Sequence, residues 1–213
     1  MIIAVDGPTA SGKGTIARGL AKHFGLRHLD TGLLYRAVGM QVRRMGTDPD
    51  DPRDAQRATD FPESLLADPA LRNEGTGALA SRVSVHKGVR AALLERQRAF
   101  AASPGGAVLD GRDIGTVVAP HADVKLFVTA SVEARARRRH AEMVARGARV
   151  SLNDIRADLI ARDARDRGRA EAPLVEAADA RLLDNSELSA EQSLAEAIRI
   201  VEEVMAAKGE TKS

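Results

Sequence analysis

Apolar residues along this chain fall into short β-branched runs that alternate with longer stretches of helical period. Ile2 to Val5 is such a run, closing on Asp6-Gly7-Pro8, and it predicts a fully buried strand. After a glycine-rich turn, Ile16, Ala17, Leu20, Ala21 and Phe24 recur at helical spacing until Gly25 stops the pattern. The pair then repeats, with a strand from Leu26 to Asp30 and a helical stripe of Leu33, Leu34, Ala37, Val38, Met40 and Met45 that ends at Gly46. Thr47 to Arg53 reads TDPDDPR, an exposed connection where a lobe boundary is expected. Helical period returns between Ala55 and Ser103, clearest from Ala80 to Phe100, with Gly88 a point where it breaks or bends.

Three further strands are expected at Ala107 to Asp110, Val124 to Val128 and Ala180 to Leu183. Ser131 to Arg169 is Arg-rich and helical in period, interrupted near Gly147. The last helix starts at Ser189, where Gln192 completes a capping box, and runs to about Ala207. Strands separated by helices predict an α/β fold built on a five-stranded parallel sheet flanked by helices, with ligands at the carboxyl ends of the strands.

Composition narrows the chemistry. The 213 residues include no Cys, which excludes disulfides, thiolate metal sites and a cysteine nucleophile, and which agrees with a reducing cytoplasm. The N-terminus has no basic stretch before its apolar residues, and no uncharged apolar run reaches membrane-spanning length, so neither a secretion signal nor a membrane partner is expected. The pI is about 9.2, yet the formal net charge is only +2 and aromatics are 2% of the chain. Near-balanced charge without stacking aromatics argues against a nucleic-acid partner. With no long exposed apolar stripe in the pattern, a monomer is expected.

The strongest motif is Gly7-Pro8-Thr9-Ala10-Ser11-Gly12-Lys13-Gly14-Thr15, two glycines five apart followed at once by Lys, between a strand and a helix. This is the phosphate-loop arrangement: inward amides and a helix N-terminus cradle phosphates, and Lys13 spans the terminal pair. Gly14 stands where the general motif has Ser or Thr, so the hydroxyl falls to Thr15. Asp110-Gly111-Arg112-Asp113 follows a strand, where a flexible Gly lets two acids and an Arg converge, although a turn of solvated charge reads equally well. Arg162, Asp166 and Arg169 fall at i, i+4 and i+7, spacing that suits a surface ion-pair ladder or a phosphate clamp.

The loop GPTASGKGT, then LDTGLLYR at Leu29 to Arg36, VRAALLERQRAF at Val89 to Phe100, LDGRDIGTVV at Leu109 to Val118 and ARDARDRGRAEAPL at Ala161 to Leu174 together resemble the bacterial cytidylate kinase family along nearly the whole chain. The resemblance implies a P-loop fold in which residues 1–46, 104–130 and 170–208 form the core. It implies an acceptor-binding lobe at 47–103, a helical lid at 131–169 and a disordered tail at 209–213. It implies transfer of the γ-phosphoryl of ATP to CMP or dCMP, with Lys13, Arg112 and Arg162 catalytic and residues 7–15 holding ATP. Asp30, Thr31, Arg36, Ser81, Arg90, Arg112, Asp113, Asp166 and Arg169 would hold the acceptor, with Ser81, Arg90 and Asp113 facing the cytosine. Mg²⁺ is the implied cofactor, held through water by Thr15 and Asp110. Thr31 replaces the family's Ser in Asp-Ser-Gly and keeps the hydroxyl, while the stretch from Thr47 to Ser81 is shorter than in longer members and lacks their strand pattern. A switch GTPase shares the loop but requires a guanine-reading Asn/Thr-Lys-x-Asp motif, which the sequence lacks.

Overall fold

The computed structural model describes residues 1–210, and the last three positions of the expected tail, 211–213, lie outside the described residues. The chain divides into two compact units, one of Met1–His28 with the residues from Ser103 on, the other of Leu29–Ala102.

Five strands form a parallel sheet: β1 (Ile2–Asp6), β2 (Arg27–Asp30), β3 (Ala107–Gly111), β4 (Val124–Thr129) and β5 (Arg181–Asp184), in the order β2-β3-β1-β4-β5. β1 lies centrally, with Asp6 opposite Gly111 of β3 and Phe127 of β4. Because side chains alternate along a strand, Ile3 and Val5, Val124, Leu126 and Val128, and Val108 gather on one face. There they meet Ile16 and Leu20 of α1 (Lys13–Phe24) and Ala197 and Val201 of the last helix. Burial of each large aliphatic side chain in such a cluster is worth about 1.5–3 kcal/mol. α8 (Ala190–Glu210) starts with the expected reciprocal cap, Ser189 Oγ accepting from Gln192 N at 3.1 Å and Gln192 Oε1 from Ser189 N at 2.9 Å. It continues three residues past the end that periodicity placed at Ala207.

In the smaller unit every regular element after β2 is helical: α2 (Thr31–Met45), α3 (Pro52–Arg57), two 3₁₀ turns (Glu63–Ala67 and Pro69–Arg72), α4 (Glu74–Val83) and α5 (Lys87–Ala101). Leu34, Val38, Met40, Phe61, Leu71, Val89 and Leu93 form its core. Periodicity suggested one helix from Ala80 to Phe100 bent at Gly88, but the break lies at Ser84–His86. Ser84 turns its hydroxyl onto the Ser81 carbonyl at 3.1 Å, and His86 Nε2 lies 2.9 Å from the Pro49 carbonyl oxygen, which fixes the corner. Gly88 sits inside α5, where a β-carbon would come within 2.5 Å of Gln56 Oε1; it permits a close approach rather than a bend.

In the larger unit two helices follow β4, α6 (Val132–Ala145) and α7 (Leu152–Arg167), separated where Gly147 takes φ +82°. Among the described residues no helix is long and apolar enough to cross a membrane.

Candidate active site

The phosphate loop leaves β1 through Gly7, whose φ is +155°, and any β-carbon there would overlap the Val128 carbonyl oxygen of β4. Only glycine lets the chain turn so close to a neighbouring strand. Gly12, also left-handed at φ +85°, opens α1 and its first turn of amides. Lys13 is buried and its Nζ reaches back 3.2 Å to the Pro8 carbonyl, so the ammonium lies across the loop. Ser11 is fully buried and its hydroxyl has no hydrogen-bond partner among the described residues. An inward hydroxyl beside a helix N-terminus is what an anion-binding cradle offers.

Ala10, at the loop tip, adopts φ +61°. Its methyl packs against Ala136, Ile155, Leu159 and their neighbours on α6 and α7. Thr9 beside it is held twice: Arg112 Nη2 donates to its hydroxyl at 2.7 Å, and Arg135 Nη1 to its carbonyl at 3.1 Å. Each arginine is fixed in turn by a carboxylate of α7. Arg112 Nε lies 2.8 Å from Asp166, and Arg135 makes a two-pronged contact with Asp163 at 3.1 and 2.6 Å.

Asp166 also pairs with Arg169, which stands just past the end of the helix rather than on it. Burial pushes the Asp166 carboxyl up, but Arg112, Arg169 and Lys13 together hold it below the usual carboxylate range. Burial likewise opposes the Arg112 charge, and Asp166, with Asp110 and Asp163 beyond it, outweighs burial and raises its pKa. Arg162 is buried, with its guanidinium 2.8 Å from Asp158 one turn back. Lys13 and Arg112 of the expected catalytic set thus share one electrostatic cluster with Asp166 and Arg169 of the expected acceptor-binding set, while Arg162 pairs with Asp158.

Asp110 and Asp113 flank Arg112, and both are buried. Asp110 Oδ2 lies 2.7 Å from His28 Nε2, while its Oδ1 faces Gly14, where a β-carbon would be 3.7 Å away. Thr15 is exposed, its hydroxyl 3.4 Å from Arg18 Nη2. Among the described residues no group of three or more metal-ligating side chains occurs. Two oxygen donors, one carboxylate and one hydroxyl, fit a hard cation that keeps most of its water. Asp113 leads into a π-helical turn, Ile114–Val118, and Asp6 accepts from the Ile114 and Gly115 amides at 2.8 Å each. Burial is the main reason the Asp6 carboxyl is pushed up to about 6.

A cavity of about 260 Å³ opens beside the loop, lined among others by Ala10, Gly12, Ile16, Arg138, Asn185 and Leu188. It is smaller than the ~300–1,000 Å³ typical of ligand sites. Its wall is braced by Arg138, which donates to Asn185 Oδ1 at 3.0 Å, to the Asn185 carbonyl at 2.5 Å and to the Leu188 carbonyl at 3.2 Å. Asn185 Nδ2 donates to the Ser11 carbonyl at 2.9 Å. Sequence reasoning passed over Asp6, His28, Arg135, Arg138, Asp163 and Asn185 as site residues. The position of Asn185, one step past the carboxyl end of β5, was the available signal.

In the smaller unit, Asp30 precedes α2 and lies 3.9 Å from Arg72, and Thr31 is buried at the first position of that helix. Arg36 donates to the carbonyls of Leu71 and Asn73 at 2.8 and 3.0 Å, with its guanidinium against Gly77, where a β-carbon would meet Nη2 at 2.9 Å. Arg90 stands over the Tyr35 ring at 5.8 Å from its centroid, and Ser81 is partly buried on α4.

Comparison with known proteins identifies the family. The family model for cytidylate kinase matches residues 3–203. A cytidylate kinase of Xanthobacter autotrophicus is 55% identical over 95% of this chain and 97% of its own. Those of Rhodopseudomonas palustris strain BisA53 and of a Caulobacter species are 54% and 52% identical, with 98–99% of each chain covered. A crystal structure of an uncharacterized protein from Eubacterium ventriosum, 14% identical, superposes with a TM-score of 0.57 over 95% of this chain and 98% of that one, a likeness of fold alone. With a family model spanning nearly all of its length and relatives above half identity from end to end, this chain belongs to the cytidylate kinase family.

Proposed function

We propose that this protein transfers the γ-phosphoryl group of ATP to CMP or dCMP, giving ADP and CDP or dCDP. The observation that carries the reading is the joining of Lys13, Arg112, Asp166 and Arg169 into one cluster at the phosphate loop. This reading takes Arg112 and Arg169, beside the phosphate loop, as the arginines that meet the second nucleotide's phosphate. In this reading the amides of residues 7–15 and Lys13 hold the triphosphate, and the cavity by Asn185 takes the adenine ring.

Transfer between two polyanions needs alignment and charge neutralisation rather than a covalent nucleophile. Arg112 and Arg162 neutralise charge on the group in flight. Arg36 and Arg169 orient the acceptor phosphate, whose oxygen is already ionised, so no general base is required. Asp30 and Thr31 make polar contacts to the acceptor and Asp166 holds its sugar, while Ser81, Arg90 and Asp113 read the amino and carbonyl groups of cytosine. Thr15 and Asp110 would hold Mg²⁺ through water, and the ion would supply positive charge against the phosphates. We assign the reaction to the cytoplasmic nucleotide pool, performed by a monomer without nucleic-acid or membrane partners.

A coupled ADP-release assay across CMP, dCMP, UMP and AMP tests the assignment. CMP and dCMP should exceed UMP and AMP in kcat/KM by about 100-fold or more, the discrimination that a hydrogen-bonding base pocket achieves. Equal rates, or a preference for AMP, would overturn it.

A further inference from the structure

Asp6 is an ionisable side chain that the mechanism above does not use, buried at the carboxyl end of the central strand. Its two oxygens accept separately, Oδ1 from the Ile114 amide and Oδ2 from the Gly115 amide, each at 2.8 Å. Gly115 packs closely here: a β-carbon would lie 3.4 Å from Asp6 Oδ2, an ordinary contact, and 3.1 Å from the Lys125 side chain. From the other end of the turn, the amides of Val117 and Val118 donate to the Asp113 carbonyl at 2.9 and 3.1 Å. Asp113 is therefore held on both sides, at φ −144° and ψ 27°, between the Asp6 grip and the arginine anchored on Thr9.

We propose that Asp6 is a positioning residue that sets the Asp113 turn, and through it the discrimination of cytosine from uracil. The proposal rests on the reading in which Asp113 faces the base. A carboxylate is an expensive choice for this place, since burial disfavours its charge, and an amide of the same shape would be cheaper to bury. Only the carboxylate offers an acceptor to both amides; an asparagine would set its own N–H₂ against one of them. The charged groups around it are Asp113 and Arg112 on the loop after β3, and Lys125 of β4, whose ammonium is engaged 2.8 Å from Asp179.

The test is the steady-state kinetics of Asp6→Asn with CMP, UMP and ATP, together with amide hydrogen exchange. We expect KM for CMP to rise about tenfold and the CMP-to-UMP ratio of kcat/KM to fall about tenfold, with KM for ATP within about twofold of wild type. Exchange at Ile114 and Gly115 should quicken at least about tenfold relative to the Val5 amide of the same strand. A folded Asp6→Asn enzyme with wild-type KM for CMP and undiminished selectivity overturns the positioning role while leaving the kinase reading intact. A wild-type enzyme that does not favour CMP overturns both. Where Asp6→Asn does not fold, exchange in the wild type decides. Ile114 and Gly115 protected like Val5, and further protected by CMP, support the role, and exchange at loop rates overturns it.

Discussion

Lys13 and Asp6 are both buried charges within the first thirteen residues, and they answer to different demands. Lys13 lies across the loop on the Pro8 carbonyl, a contact worth little beside the phosphate charge we propose it meets. Lys13→Ala should lower kcat by about 100–1,000-fold, the usual loss on removing one preorganised donor at a site of developing charge. Thermal unfolding of the same variant should show the fold retained, and substantial turnover in folded protein would remove the loop from the mechanism. Asp6 instead leaves its mark on stability. Its carboxyl rises from 3.8 to about 6 on folding, so between those values the folded state binds more protons than the unfolded chain. The contribution is therefore fully present below about pH 4 and is lost as pH rises through 6, about 3 kcal/mol in all. Urea unfolding of wild type and Asp6→Asn across pH 4 to 7 should show the wild type losing ground to the variant as pH rises; parallel curves would refute the shift.

At the scale of elements, helix contacts in each unit depend on missing side chains. α2 crosses α4 at Gly39, where a β-carbon would fall 2.7 Å from Leu79 Cβ and 3.0 Å from the Ala80 amide nitrogen. The helix-propensity gain of Gly39→Ala, about 1 kcal/mol, opposes an overpacking cost of about 1–3 kcal/mol, and because the obstacle includes backbone the cost should win. A lowered melting temperature is the expected result, and an unchanged or raised one would show that the crossing yields. Most elements were legible because their boundaries are local chemistry, as with the Ser189–Gln192 cap and the Gly25 and Gly46 stops. The α4–α5 corner was not, because its cause is His86 meeting Pro49, a contact 37 residues away in the chain, while Gly88 imitated a break for a packing reason of its own.

For the whole molecule the same division separates what was readable of the site from what was not. The phosphate loop is nine consecutive residues in which Gly7 and Gly12 are required by backbone geometry, so spacing alone exposed it. Arg112, Asp166 and Arg169 could be nominated from the family resemblance, and their joining through Asp166 required the fold. Arg135 on Thr9 and Asn185 on Ser11 link residues 126 and 174 apart in sequence, a distance at which no local pattern survives. The domain that periodicity described as helical and Arg-rich thus holds arginines of two kinds. Arg135 and Arg138 are committed to protein carbonyls near the loop, whereas others, such as Arg146 and Arg156, form exposed ion pairs of small energetic weight.

Ala10 carries a last consequence. An alanine held at φ +61° costs roughly 1 kcal/mol that a glycine would not, and the methyl offsets this only while it is embedded among Ala136, Ile155 and Leu159. Helices α6 and α7 therefore act as the counterweight of a bent spring. Were they to swing away, the tip would lose its reason to stay coiled, so the shape of the glycine-rich loop and the seating of those two helices are a single mechanical variable.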